Sequence, residues 1–252
     1  MKTFGYIFFF LLMNFSLLSA NENDDFAKAN NYFNAEKFPQ AAAQYRQILS
    51  SGKHSADLYF NLGITYAKMH DEPHAILYLE KAKLLTPLNG DINLALIATR
   101  TKIGLDKKSP AGYSPFFYIT GILSPKAWAI LCGISVFVLL ASLLAGIYLT
   151  DGKRRKSAKY FAIESAAAML LFFAAGTARH NYIYAKSFAI VTATDAEIYS
   201  SPQAGMSESQ RPKNEQIKAG TKIKILEMRN GMYCFESEKG KCWIAVINAE
   251  LI

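Results

Sequence analysis

The hydrophobic period of this chain changes twice, and each change marks a different kind of structure. Tyr59, Leu62 and Tyr66 recur at i, i+3 and i+7 on one helical face, and Ala75, Leu79 and Ala82 do so on the next segment. Pro87 ends the second of these helices, because proline has no N–H for the ladder and clashes with the preceding turn. About one repeat length earlier, roughly 34 residues, Ala29, Tyr32, Ala41 and Tyr45 take the places of Gly63, Tyr66, Ala75 and Leu79. Asp91 to Lys102 predicts a single amphipathic helix with Leu94, Ile97 and Ala98 on its apolar side. From Ala127 to Leu149 the period disappears into a continuous apolar run, long enough at roughly 20 residues or more to cross a hydrocarbon core. A second run, Tyr160 to Ala178, is poorer in large residues and contains Glu164. After Lys186 the period is two: Ala189–Ala193, Glu197–Tyr199, Thr221–Leu226, Met232–Phe235 and Cys242–Ile244 read as strands.

The Leu58–Pro87 pattern resembles a tetratricopeptide repeat, with Gly63 and Ala75 at the small positions where paired helices approach. That resemblance implies a binding surface without chemistry. Two repeats and a solvating third helix lie at the lower limit for such a stack, which then leans on a partner or a second copy. The stacking uses the regular apolar positions, so recognition falls to the inner-helix residues left over. Phe60 and Ile64 are four apart and adjacent on one face, with Lys68 one turn further. Together they form an apolar patch edged by a cation, a seat for an extended peptide or partner helix. Asn30 and Asn61 lie on the inner helices and can hydrogen-bond a partner's backbone. The competing reading packs this patch against the neighbouring repeat or the membrane-lying helix.

Met1-Lys2, the apolar run Phe4 to Leu18, and Ala20 before Asn21-Glu22 describe a secretory signal peptide over 1–20; an uncleaved anchor is the alternative. Ser124-Pro125 supplies an N-cap and a first-turn proline for the first span, and Trp128 sits at interfacial depth. Before it, Tyr113, Phe116, Phe117, Tyr118, Ile119, Ile122 and Leu123 predict a helix lying along the membrane, marked off by Pro110 and Pro115. Alternatively, the span starts earlier. The net charge of +8 and pI of about 9.2 suggest an acidic partner until the charge is located. Lys153, Arg154, Arg155, Lys156 and Lys159 against Asp151 supply half of the excess between the two apolar runs. A basic stretch there is a topology signal, keeping 150–159 in the cytoplasm, and it does not point to nucleic acid. Both long ends then stand outside the inner membrane, in the periplasm, where the signal peptide independently sends the repeats. Glu164 lies near the cytoplasmic end and is expected to snorkel towards Lys159 or the headgroups.

The alternating C-terminal segment is similar to bacterial SH3-like domains. The resemblance rests on Ala189-Ile190-Val191, the Tyr199-Ser200-Ser201-Pro202 turn, Gly220-Thr221-Lys222-Ile223, Asn230-Gly231-Met232-Tyr233 and Gly240-Lys241-Cys242-Trp243-Ile244. Met232 and Cys242 depart from the family's frequent Trp and Gly. Cys132 falls in the first span and is expected to pack as a small apolar residue. Cys234 and Cys242 lie on the two arms of one hairpin around Ser237-Glu238-Lys239-Gly240. They form a disulfide if the register lets them face each other; a one-residue slip points them to opposite faces.

No Walker loop, HExxH, GxSxG or paired CxxC occurs. His70 and His74 have helical ligand spacing, but Pro73 puts them at an inter-helix turn. The expectation is a non-enzyme with no cofactor and no metal. The fold expected is multidomain: α-helical tetratricopeptide repeats (22–105), a linker and interfacial helix (106–126), transmembrane helices (127–149 and 160–178) around the basic loop, and a C-terminal all-β SH3-like barrel (187–252). In that order the modules resemble the E component of the bacterial Bat aerotolerance system. The resemblance implies an inner-membrane scaffold, acting beside von Willebrand A-type membrane proteins and a MoxR-type ATPase in envelope stress tolerance, and allows a homo-oligomer. The alternative is a cell-wall-binding or envelope-sensing protein that recruits an enzyme through its repeats.

Overall fold

The structure, a computed structural model, describes residues 22–105, 114–185, 187–194, 196–200, 216–237 and 240–252. The expected signal peptide, Pro110 and Tyr113 of the linker, Ser201-Pro202 and Glu238-Lys239 lie outside the described residues.

Five helices open the described chain: α1 (Glu22–Asn34), α2 (Phe38–Ser50), α3 (Ala56–Lys68), α4 (Glu72–Leu85) and α5 (Gly90–Lys102). Their boundaries have local causes. Ser55 caps α3 by accepting from Leu58 N–H, Asp71 caps α4 by accepting from His74 N–H, and Asn89 caps α5 through Asp91 and Ile92 N–H. Each helix packs on the next in sequence. Ala29, Ala41, Tyr45, Leu58, Leu62, Tyr66 and Ala75 form one buried cluster between the first four. A Cβ on Gly63 would stand 2.9 Å from Leu79 Cγ and 3.2 Å from the Ala75 carbonyl oxygen. Glycine is therefore what lets α3 and α4 approach.

The register of α5 differs from the pattern reading. Leu94 is 67% exposed, and Ile97 and Ala98 also face solvent, while Ile92, Leu96, Thr99 and Arg100 turn inward. Ile92, Leu96 and Arg100 follow one another at i, i+4 and i+8, and the inward pull is an ion pair. Arg100 Nη2 donates to Glu80 Oε1 at 2.7 Å, which fixes the helix rotation that leaves Leu94 outside.

Short α6 (Pro115–Thr120) precedes α7 (Pro125–Tyr148) and α8 (Gly152–Tyr184), which pack along each other. Both are long and apolar enough to cross a membrane. Ser124 caps α7 by accepting from Ala127 N–H, with Pro125 in the first turn. The basic stretch expected as a loop is helical. Asp151 accepts from Lys153 N–H and starts α8 immediately, so only Leu149 to Asp151 separates the two long helices. No glycine or proline follows Gly152 before Gly176, and Lys, Arg and Ala favour a helix. At 33 residues, about 50 Å, α8 is longer than a hydrocarbon core of about 30 Å.

The C-terminal region is an antiparallel sheet: β1 (Phe188–Val191), β2 (Ala196–Tyr199), β3 (Gln216–Ile217), β4 (Lys222–Arg229), β5 (Met232–Ser237), β6 (Gly240–Ala245) and β7 (Ala249–Leu251). Its order is β3-β2-β6-β5-β4-β1-β7. Among the described residues the edge strands β3 and β7 do not pair with each other, so the sheet is open where a closed barrel was expected. Each edge is two or three residues long, too short to carry a closing ladder. A bulge between Ile225 and Glu227 bends β4, and one face gathers Ala189, Val191, Ile198, Tyr233, Phe235 and Ile244 into a core.

The β5–β6 register decides the cysteines. Cys234 pairs with Trp243 and Cys242 with Phe235, one residue out of step. The two thiols therefore point to opposite faces, Cys242 into the main core and Cys234 beside Met232 and Trp243, and both are free. The bridge considered from sequence does not form, because a single slip in a strand pair reverses the face.

Candidate functional site

The second helix pair presents two faces with opposite fates. On the α4 side, three residues paired across β7, β1 and β4 (Glu250, Ile190 and Lys222) form a row turned towards the helices. Ile190 is buried with Ile76, Leu77, Leu79 and Leu96. Lys222 Nζ donates to Glu80 Oε2 at 2.8 Å, and Glu250 Oε1 stands 3.7 Å from His74 Nε2. Gly220, in the turn before β4 at φ +83°, lies against the side chains of Ile76, Ile103 and Leu105, with no room for a Cβ. Helices and sheet thus meet through an interlocked apolar and ionic surface.

At its centre is a buried triad. Glu80, Arg100 and Lys222 are 1%, 4% and 2% exposed. Burial alone would raise the Glu80 carboxyl, but Lys222 and Arg100 outweigh it and hold it below its ordinary value. Burial pushes the Lys222 ammonium down to about 8, against the opposing pull of the Glu80 carboxylate. Arg100 Nε is buried with no hydrogen-bond partner among the described residues. The arrangement specifies a geometry more than it adds stability, since ions withdrawn from water lose most of what their attraction returns.

On the other side, α1 and α3 leave a cavity of about 450 Å³ lined by Asn30, Phe33, Asn34, Tyr45, Phe60, Asn61 and Ile64. Four of the five residues selected from sequence, Asn30, Phe60, Asn61 and Ile64, converge on it. Lys68 does not; it is exposed at the last turn of α3. Phe60 and Ile64 are half-buried, packed on one side against the cluster around Ile76, Leu79 and Leu96. The packing role and the lining role weighed from sequence therefore coexist. Tyr45 Oη and Asn61 Nδ2 (at 3.2 Å) both donate to Asn30 Oδ1, a network that locks the two amides. Among the described residues, Asn61 Oδ1 then accepts nothing and the Asn30 amide N–H groups donate to nothing. One acceptor and one donor face an apolar-walled cavity at the spacing of neighbouring inner helices. Such a pair matches the C=O and N–H of an extended backbone.

A larger cavity of about 960 Å³ opens where the last turns of α8 meet the sheet, with Phe116, Tyr182, Phe188, Lys224 and Phe235 in its walls. Pattern reading missed it because its walls come from distant segments. His70 and His74 do not converge: His70 Nδ1 lies 3.0 Å from Lys102 Nζ, and His74 Nδ1 lies 2.8 Å from Asp71. Among the described residues no cluster of metal-ligating side chains occurs. Glu164 is exposed on α8 and makes no ion pair with Lys159 among the described residues. Cys132 Sγ lies 3.8 Å from the Met169 carbonyl oxygen, between α7 and α8.

No protein-family model, curated protein or solved structure matches the chain.

Proposed function

We propose that this chain is a non-enzymatic membrane scaffold that captures a protein partner in the cavity between α1 and α3. The observation that carries this reading is the pair of uncommitted amide groups, on Asn30 and Asn61, set in an apolar cavity by their bond to each other. An extended segment entering there would find a backbone donor and acceptor satisfied and an apolar side chain seated against Phe60 and Ile64. The period of the five helices and the tight Gly63 contact favour tetratricopeptide repeats, and the short antiparallel strands favour an SH3-like domain. The basic start of α8 favours a cytoplasmic turn between two spans, with repeats and sheet in the periplasm on the outer side of an inner membrane. The order of modules favours the E component of a Bat aerotolerance system, partnered with von Willebrand A-type membrane proteins and a MoxR-type ATPase.

The test is co-purification of von Willebrand A-type membrane proteins with the tagged full-length chain, compared with Phe60→Ala/Asn61→Ala. The double variant should reduce recovery at least about tenfold, the loss expected when an anchor and a buried hydrogen bond go together. Recovery at the wild-type level would remove the cavity as the binding site.

A further inference from the structure

The turn that follows α4 is packed into the membrane-proximal end of the molecule. Arg179, near the C-terminal end of α8, is 1% exposed. Through Nη2 it donates to the carbonyl oxygens of Leu84 and Leu85, in the last turn of α4. Those carbonyls lie in the helix's last turn, where they lack intrahelical donors, and a cation there is attracted to the negative end of the helix dipole. The same guanidinium lies 5.3 Å from the centre of the buried Phe117 ring, which packs edge-on against Tyr182 of α8. Gly121 backs directly onto Pro87 with no space for a Cβ. Trp128 Nε1 donates to the Thr120 carbonyl oxygen at 2.9 Å, tying α6 to the start of α7. The helical stack is therefore bolted to α6 and α8 and does not swing on a tether.

The outer side of this joint is apolar. Phe116, Ile119 and Ile122 are exposed, and so is Leu88 (60%), which follows Pro87. Only Leu123 separates Ile122 from the Ser124 cap of α7, whose own exposed side chains, Ile130, Ile134 and Phe137, continue the apolar surface. Segments 83–90 and 114–126 carry Lys83 and Lys126 and no carboxylate. Lys83 lies 5.8 Å from the centre of the Tyr118 ring. Large apolar side chains next to cations that make no ion pair among the described residues, continuous with two apolar helices, match the boundary between acyl chains and anionic headgroups.

We infer that the Pro87-Leu88 turn and α6 sit in the headgroup layer of the bilayer that α7 and α8 cross, so that the helical stack stands on the membrane by the C-terminal end of α4. The inference rests on the reading of α7 and α8 as spans. It places the cavity between α1 and α3 at a fixed height and orientation above the lipid.

The experiment uses the full-length protein in nanodiscs of phosphatidylcholine and phosphatidylglycerol. A fluorescent noncanonical residue is placed singly at Leu88, Ile119, Phe137 or Lys68, positions exposed enough to accept it, with helical circular dichroism checked for each. Lipid spin labels carried near the headgroup or deep in the acyl chain then quench it. Leu88 and Ile119 should be quenched more by the shallow label than by the deep one, and Phe137 more by the deep one. Lys68 should be quenched by neither, because it adjoins the start of α4, about 21 Å along that helix from the bilayer. Quenching at Phe137 but not at Leu88 or Ile119 overturns the docking and leaves the spans intact. No deep quenching at Phe137 overturns the spans themselves. Quenching at Lys68 equal to that at Leu88 overturns the upright orientation.

Discussion

The two faces of the second helix pair come from one repeat-like segment and end in opposite states. The α4 face is filled: β1, β4 and β7 cover it with an apolar centre and with charged partners for Glu80 and His74. The α3 face is left open, and its polar groups are satisfied only by each other, with one donor and one acceptor left over. A face already covered by the protein's own sheet has no room for another backbone, whereas an open cavity with uncommitted amide groups does. The proposed partner capture is therefore assigned to the α1–α3 side, because the protein's own sheet already occupies the other.

The largest effect expected from breaking this contrast is at Glu80. Glu80→Ala strands Arg100 and Lys222 in the interface and should lower unfolding stability by about 3–5 kcal/mol, measured by urea unfolding of the solubilised full-length protein. Replacing the triad together, by Glu80→Leu, Arg100→Leu and Lys222→Met, should recover most of that loss, because no charge is then left buried. A small effect of Glu80→Ala alone would mean that the filled face is not held by the triad.

The smallest effect is a pH dependence at the rim of the same face. Glu250 first, then Asp71, raises the His74 imidazolium above its ordinary 6.5 against the opposing pull of burial. His74 in turn holds Glu250 below its ordinary 4.5. The His74 contribution is complete below 6.5 and is lost as pH rises through the higher folded value. The Glu250 contribution is complete above 4.5 and is lost as pH falls through the lower folded value. Stability from this pair should peak between 4.5 and 6.5. Both side chains are about a third to a half exposed, so the amplitude should stay below about 1 kcal/mol. Thermal unfolding of wild type and Glu250→Gln across pH measures it; parallel curves would remove the ion pair from the account.

Much of this contrast was legible in the sequence on one side only. The open face is nearly local: Phe60, Asn61 and Ile64 lie within one helix and Asn30 on the inner helix one repeat earlier, so helix periodicity and the repeat spacing reach them without any tertiary information. The filled face is not. Glu80 and Lys222 are separated by 142 residues and by two candidate spans, and nothing in the spacing of either predicts the other. That missing partner also explains the misread register of α5. Hydropathy turned Leu94 inward, whereas an unanticipated carboxylate turned Arg100 inward instead. The basic stretch was misread as a loop for a different reason: charge decides which side of a membrane a segment occupies, but helix propensity and the Asp151 cap decide its backbone. The cysteines turned on a single residue of strand register, which alternation alone does not fix.

The central claim, that the sheet is fixed on α4 and leaves α1–α3 as the open side, is tested most directly by a distance. Spin labels on noncanonical residues at the exposed positions Asp57 in α3 and Met228 in β4, in full-length protein in nanodiscs, report the separation of helices and sheet by pulsed dipolar spectroscopy. One narrow distance distribution is expected, broadening when Glu80→Ala is introduced. A broad distribution in the wild-type protein, unchanged by Glu80→Ala, would contradict the account.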